Sequence, residues 1–413
     1  MEATISHKLN VAILDKELER ETWYNTFWSR FAGFVDISDD NGNQKITPSG
    51  KPIEVMQQFI QEGRDNMLTP FLQDLTGDPV YGDTVLKGTG EDKVLRYLRT
   101  YVNQWRKAVT AKSGTMSNQR VRMYNLIEKS KPLLSRWNSM NENAMVSQSF
   151  YEGASLNLTT GTASDGLGLY RRYHPNFYIN DGAALTAAGS ASSGAMTYEG
   201  QTKTNAMLDT AATNCDTAIT CDILQELRLK MMELKIPQIV TKNGFKFWAL
   251  LVHPKQMNDL LADTLFTQYN PGDTGNNADQ GGMSPMLSGV IGYYAGFAIF
   301  EDIVAVRCWH ATTLFAGTNG WLQPHDAGVD YCAIAFGNGA IAKGIADPLH
   351  FTTEVDDHGN VIEIGSAVVN GYNRADFASS ANESTVFNND NAAAGDIATT
   401  ALLNNSSLIL MTN

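Results

Sequence analysis

A chain of 413 residues, 43% of them hydrophobic, exceeds the ~250–300 residues at which a single core usually stops growing, so two or more packed units are expected. The formal net charge of −13 excludes a surface built to cling to nucleic acid or an anionic membrane, which needs clustered Lys and Arg; any contact with DNA is expected to be local or indirect. Cys215, Cys221, Cys308 and Cys332 lack C-x-x-C spacing and are too sparse for a disulfide scaffold, so buried free thiols in a reducing compartment are expected, with a Cys215–Cys221 pairing left open.

The N-terminal stretch lacks the basic region and apolar run of a signal peptide, and no run of ~18 apolar residues offers a membrane span. Val11, Leu14, Leu18, Trp23, Phe27, Trp28 and Phe31 predict an amphipathic helix over 11–34 with an aromatic second half, an arm that wants a partner surface. Asp36 to Gly50 reads as a polar loop. Its Asp39-Asp40-Asn41-Gly42 faintly resembles a calcium loop, but Ile37 stands where a ligand should, so a solvated turn is expected. Between Thr69 and Val109, short apolar segments separated by Gly77-Asp78-Pro79, Gly82-Asp83 and Gly88-Thr89-Gly90 predict an extended two-stranded excursion that must lie on something else. Glu91 and Asp92 after Gly88 and Gly90 exclude a phosphate loop there.

Ser117 to Phe150 predicts a long helix with a broad apolar face, kinked or broken at Pro132, because an interior proline costs ~3 kcal/mol or more. Gly153 to Asn214, rich in Gly, Ala, Ser and Thr, predicts a surface insertion with only local strands. A helix from a Thr220 cap runs through Leu224, Leu227 and Met231 to Pro237, with Met231-Met232 as core filling.

Phe245 to Arg307 is the organising unit. Its first eight residues, FKFWALLV, predict a strand buried on both faces, which His253-Pro254 stops. A helix with Met257, Leu260, Leu261 and Leu265 on one face follows, then a long loop and further strands. Closing strands are expected over Leu314–Asn370: Tyr331 to Phe336 buried, and a hairpin around His358-Gly359-Asn360. From Asp376 the chain is a polar tail whose apolar end, Leu408 to Met411, is expected to pack onto a surface.

Catalytic signals are weak. Gly337-Asn338-Gly339-Ala340-Ile341-Ala342 matches a dinucleotide fingerprint with Asp356 beyond it, but Pro348 leaves no room for the crossover helix, and a tight turn is the simpler reading. His253 near Asp259 has no nucleophile motif beside it and reads as a capping or packing device. Glu354, Asp356, Asp357 and His358 lack ligand spacing and read as a hydrated hairpin tip, while His310 and His325 read as structural. The aromatic arm, extended hairpin, long helix and apolar tail gain burial between subunits, which points to assembly.

Several stretches resemble the major capsid proteins of tailed bacteriophages, with the Hong Kong 97-like coat-protein fold of a podophage-like group. They are Thr69–Asp78, Gly82-Asp83-Thr84 with Gly88, Val102-Asn103-Gln104 to Val109, Met116–Arg120, Val252–Gln256 with Asp259-Leu260, and Gly289–Gly292 followed by Gly296–Glu301. The resemblance implies an α+β fold with an N-terminal arm over 1–63, an extended loop over 64–112 and a spine helix opening a peripheral domain over 113–150. A surface insertion over 151–215, an axial-type α/β domain over 216–312, closing strands over 313–375 and a tail over 376–413 complete it. It further implies a non-enzymatic, self-assembling icosahedral virion protein, in hexamers and pentamers, enclosing double-stranded DNA without tight binding. The expected partners are further copies of itself and portal, scaffold and decoration proteins, with no membrane and no cofactor or metal. The residues expected between subunits are Trp23, Phe27, Trp28 and Phe31 on the arm, Phe71, Leu72, Asp74, Tyr81, Asp83 and Leu86 on the loop, and Leu408 and Leu410 on the tail. An α/β enzyme of unknown substrate and a capsid-like cellular compartment protein are the alternatives. The family's Lys–Asn crosslink matches no position here.

Overall fold

A computed structural model describes residues 18, 20–22, 25–40, 43–47, 49–56, 66–72, 81, 95–110, 126–153, 174, 176–180, 185–187, 218–241, 244–269, 290–302, 307–309, 330–356, 361–378, 402–404 and 406–412. The N-terminal helix is shorter than its apolar spacing predicts. Helical residues 18, 20–22 and 25 give way at Thr26, whose backbone is extended (φ −81°, ψ 124°), and Phe27–Phe31 form a 3₁₀ turn. In a 3₁₀ turn residues i and i+3 eclipse, so Trp28 and Phe31 enter the core side by side.

The strands that follow are β1 (Ala32–Phe34), β2 (Asp36–Asp40), β3 (Asn43–Thr47) and β4 (Ile53–Met56). β2 and β3 correct the expected loop by pairing antiparallel, Asp36 opposite Thr47 and Asp40 opposite Asn43. Next come β5 (Asn66–Leu72), β6 (Leu95–Tyr101) and β7 (Asn103–Thr110). Among the described residues β5 and β6 pair only with each other, as the extended two-stranded excursion. β7 continues from β6 into a five-stranded sheet of order β1-β4-β16-β17-β7, where β16 (Ile341–Asp356) and β17 (Val361–Arg374) form the predicted long hairpin.

Helix α1 (Leu126–Glu152) packs on this sheet and passes through Pro132 unbroken. Pro132 lies in the second turn and is exposed, and the later turns are held by tertiary packing. The helix is not amphipathic in the expected way. Every residue from Asn141 to Tyr151 is buried, including Glu142, Ser147, Gln148 and Ser149, and Asn138 bonds the Ser366 hydroxyl of β17.

The second sheet has nine strands: β8 (Phe177–Asn180), β9 (Leu185–Ala187), β10 (Ile239–Val240), β11 (Lys246–Val252), β12 (Val290–Tyr294), β13 (Phe297–Glu301), β14 (Arg307–Trp309), β15 (Asp330–Phe336) and β20 (Ser407–Thr412). Its order is β12-β13-β11-β15-β20-β8-β9, with β10 beside β11 and β14 beside β15. The short pair β18 (Phe377–Ala378) and β19 (Leu402–Leu403) completes the strands. The apolar run of β11 is explained by burial on two faces. Ala249 and Leu251 join a core with α1 and the aromatic turn, while Trp248, Leu250 and Val252 join a second core with α2 (Cys221–Glu233), α3 (Pro254–Ala262) and α4 (Thr264–Tyr269). In the helices, Met231, Met257 and Leu260 are buried, whereas Met232, Leu261 and Leu265 are exposed and the predicted apolar faces are narrower than their spacing suggests. Cys221 and Cys332 are buried free thiols, so Cys221 forms no disulfide, and burial pushes its thiol up to about 11.

The tail's apolar end packs as expected, and as an inner strand: β20 lies between β15 and β8, with every residue buried. Phe177–Asn180 and Leu185–Ala187 of the expected insertion supply β8 and β9, β8 pairing in parallel with β20. Both segments were polar in composition around a short apolar core, and long-range pairing overrode that local signal.

Candidate functional site

The residues expected between subunits divide sharply. Trp28 and Phe31 are fully buried in this chain's own core, with Trp28 stacked 5.2 Å from Phe150 and Phe31 edge-on to Phe300 and Phe336, each at 5.1 Å. Phe27 is partly buried against Phe300 under the Arg30 guanidinium, and its backbone N–H donates to Asn143 Oδ1. Leu408 and Leu410 lie in the helix-covered core. Arm and tail therefore bury Trp28, Phe31, Leu408 and Leu410 within the subunit itself. Phe71 and Leu72 end β5, opposite Arg96 and Leu95 of β6, and Tyr81 is 79% exposed. Trp23, Asp74, Asp83 and Leu86 lie outside the described residues.

What positions the hairpin is a close backbone crossing. A Cβ on Gly371 of β17 would stand 1.8 Å from the Tyr101 carbonyl oxygen, so only glycine lets the β6–β7 junction sit against the sheet. The sheet beneath that junction is further fixed to α1. Lys343 and Tyr372, paired across β16 and β17, both donate to Glu142 Oε1, and burial beside Glu142 holds the Tyr372 phenol well above its ordinary range. On β7, Trp105 donates to Asn370 Oδ1 and packs edge-on to Trp137 of α1 at 5.6 Å.

A second buried polar network ties the C-terminal strand in place. Arg374 donates through Nε and Nη2 to the Asp376 carboxylate, at 2.8 and 2.6 Å, and through Nη1 to the Phe150 carbonyl. Asn404 Nδ2 donates to Asp376 Oδ1 at 2.9 Å, and its Oδ1 accepts from the Ser406 and Ser407 N–H groups. His174 Nε2 lies 2.8 Å from Ser407 Oγ. This Ser–His pair is not a nucleophile with its base. The ring's Nδ1 accepts from the Asn176 N–H, so the neutral ring carries its proton on Nε2 and donates to Ser407, and both side chains are fully buried.

The other candidates from the sequence serve the fold as well. His253 is the N-cap of α3: its Nδ1 accepts from Lys255 N–H at 3.2 Å, Gln256 Oε1 answers to the His253 N–H, and the ring stacks on Tyr331 at 4.5 Å. Asp259 pairs with Lys255, not with His253. The Gly337–Ala342 stretch turns β15 into β16, with Gly339 at φ +66° and no helix after it; a Cβ on Gly337 would meet the Pro237 carbonyl oxygen at 2.0 Å. Glu354 is an exposed strand residue opposite Glu363, and no metal-ligating cluster occurs among the described residues. Asp357, His358, His310 and His325 lie outside the described residues.

A family model described as phage capsid protein matches residues 14–401. The chain belongs to the phage capsid protein family. Its fold is similar to the capsid of Ralstonia phage GP4, with a TM-score of 0.61, 13% identity, and 94% of this chain and 90% of that chain covered. It is also similar to the cyanophage Pam1 capsid asymmetric unit (TM-score 0.53, 15% identity, 94% and 91% covered). The head structure of Helicobacter pylori bacteriophage KHP40 aligns at TM-score 0.53 and 11% identity, covering 88% and 87%. No curated protein sequence matches the chain. This major capsid protein thus has the α+β capsid fold, and no helix among its described residues is long and apolar enough to cross a membrane. The features that composition did not disclose are the polar burial of α1 and the Arg374–Asp376 network.

Proposed function

We propose that this capsid protein assembles with copies of itself into the hexamers and pentamers of an icosahedral head around double-stranded DNA, a structural rather than catalytic role. The observation that carries the reading is the β5–β6 hairpin. Among the described residues it pairs with neither large sheet and only its base lies against β17, and a two-stranded hairpin is marginal in water, so its far part gains stability against a neighbour. Residues 64–112 then act as the extended loop, 1–63 as the arm and α1 as the spine, with an axial-type unit over 216–312. The exposed Ile291, on β12 at the end of its sheet among the described residues, is apolar surface that suits such contacts. Portal, scaffold and decoration proteins are the further partners, the virion shell the location and the host cytoplasm the place of synthesis. The acidic balance suits a container that must release its DNA.

Negative-stain electron microscopy of the purified chain, with light scattering on the same sample, tests this. Closed shells, tubes or five- and six-fold rings are expected. A compact monomer that persists with a scaffold protein supplied would overturn the reading.

A further inference from the structure

Two short segments far apart in sequence meet where β20 begins. Asn176, just ahead of β8, holds the start of β20 through three bonds. Its Nδ2 donates to the Asn404 and Ser407 carbonyls at 2.6 and 3.0 Å, and its own carbonyl accepts the Ile409 N–H at 2.9 Å. His174 fixes Asn176 in turn: the ring's Nδ1 accepts the Asn176 N–H at 3.1 Å, and its Nε2 lies 2.8 Å from Ser407 Oγ. Among the described residues β8 pairs only with β20 and β9, so this seam joins the β8–β9 hairpin to the rest of the sheet.

We propose that His174 is a pH-sensitive latch: when its ring gains a proton, the β8–β9 hairpin parts from β20 while β20 stays in place on β15. The inference stands independently of self-assembly. An imidazolium donates from both nitrogens, so the protonated ring turns an N–H toward the Asn176 N–H and removes the acceptor that fixes that residue. All three bonds from Asn176 to β20 depend on that one anchor. The ring is fully buried, and among the described residues the charged groups beside it are Arg374 and Asp376. Arg374 repels an imidazolium, and the Asp376 carboxylate already accepts from Arg374 Nε and Nη2 and from Asn404 Nδ2. Lys230 and Glu233 of α2 act further along β8, at Tyr178. β20 pairs Ser407–Thr412 with β15 but only Ile409, Leu410 and Met411 with β8, so the seam with β8 is the weaker side and opens first. Burial and Arg374 hold the ring below its ordinary value of 6.5, so the closed seam is favoured above that value and progressively lost as pH falls beneath it. Opening leaves β20 as a bare sheet edge, a template on which another strand can pair.

Amide hydrogen exchange of the full chain at pH 7.5 and pH 5, read by mass spectrometry with the intrinsic exchange rate at each pH divided out, tests the latch. Peptides covering 174–180 and 404–409 are expected to lose protection at least tenfold at pH 5, while those covering 246–252 and 330–336 change less than twofold. His174→Asn does not titrate, and its Oδ1 can accept the Asn176 N–H two residues on, as in an Asx turn. Its seam is expected to keep the same protection at both pH values. Deuterium exchange at the carbon between the His174 ring nitrogens, followed on the unmodified chain, reads the ring's own titration without any variant. Its midpoint is expected to coincide with the loss of protection at 174–180. Unchanged protection of the seam at pH 5 would overturn the latch. So would an equal loss over 246–252 and 330–336, which is global unfolding, a pH response that survives in a folded His174→Asn chain, or a ring midpoint displaced from the opening.

Discussion

Glu54 and His174 are buried titratable groups that respond to acid in opposite senses. Desolvation in β4 raises Glu54 to about 7, while burial and the nearby Arg374 hold His174 well below the ordinary imidazole range. A carboxyl raised in the folded state favours folding below its ordinary value of 4.5, and that contribution is lost as pH rises through about 7; a depressed His favours folding above 6.5 and is lost on acidification. Glu54→Gln is therefore expected to gain on the order of 3 kcal/mol at pH 8 and to leave a stability that only falls on acidification, read by urea unfolding across pH 5–8. Arg374→Met strands the fully buried Asp376 carboxylate and should cost about 3–5 kcal/mol in the same measurement. Gly371→Ala, driven into the Tyr101 carbonyl, should cost about 3 kcal/mol, whereas Gly339→Asn, at φ +66° with open space around the missing Cβ, should unfold close to the parent.

At the scale of elements, β20 carries the sharpest expectation. Deleting 402–413 opens both cores of the nine-stranded sheet at once, since Ile409 and Met411 serve one and Leu408 and Leu410 the other. The shortened chain should show no cooperative thermal transition, and a synthetic 402–413 peptide added in trans should restore one. The element-level legibility of the sequence follows the same physics. β11, α3 and the β16–β17 hairpin were readable because period, stop signal and burial agree locally, from the apolar run to His253-Pro254. The place of β20 was not readable. Six residues, SLILMT, say that they are buried, but their partners are 71–81 and 232 positions away, and no local pattern encodes which. The same limit hid the aromatic turn: Phe27, Trp28 and Phe31 announce a sticky surface, and only the fold reveals that Phe150, Phe300 and Phe336 already cover it. For the candidate site, glycine punctuation disclosed the hairpin, while its neighbour β7 needed the topology.

For the whole molecule, the division between a doubly covered sheet and a lone hairpin predicts uneven local stability. In free subunits the amides of β5 and β6 should exchange with solvent at least ~100-fold faster than those of β11 and β15, and assembly should narrow that gap, as hydrogen exchange with mass spectrometry will read. The position of β20 also bears on synthesis. A ribosome delivers β15 and β8 long before residue 407, yet the space between them is filled only by 407–412, so a nascent chain holds an unfinished sheet until that segment has left the exit tunnel. Translation that stops early thus yields a polypeptide without a closed core, a substrate for proteolysis and not for the shell, and the order of synthesis itself screens which chains become building blocks.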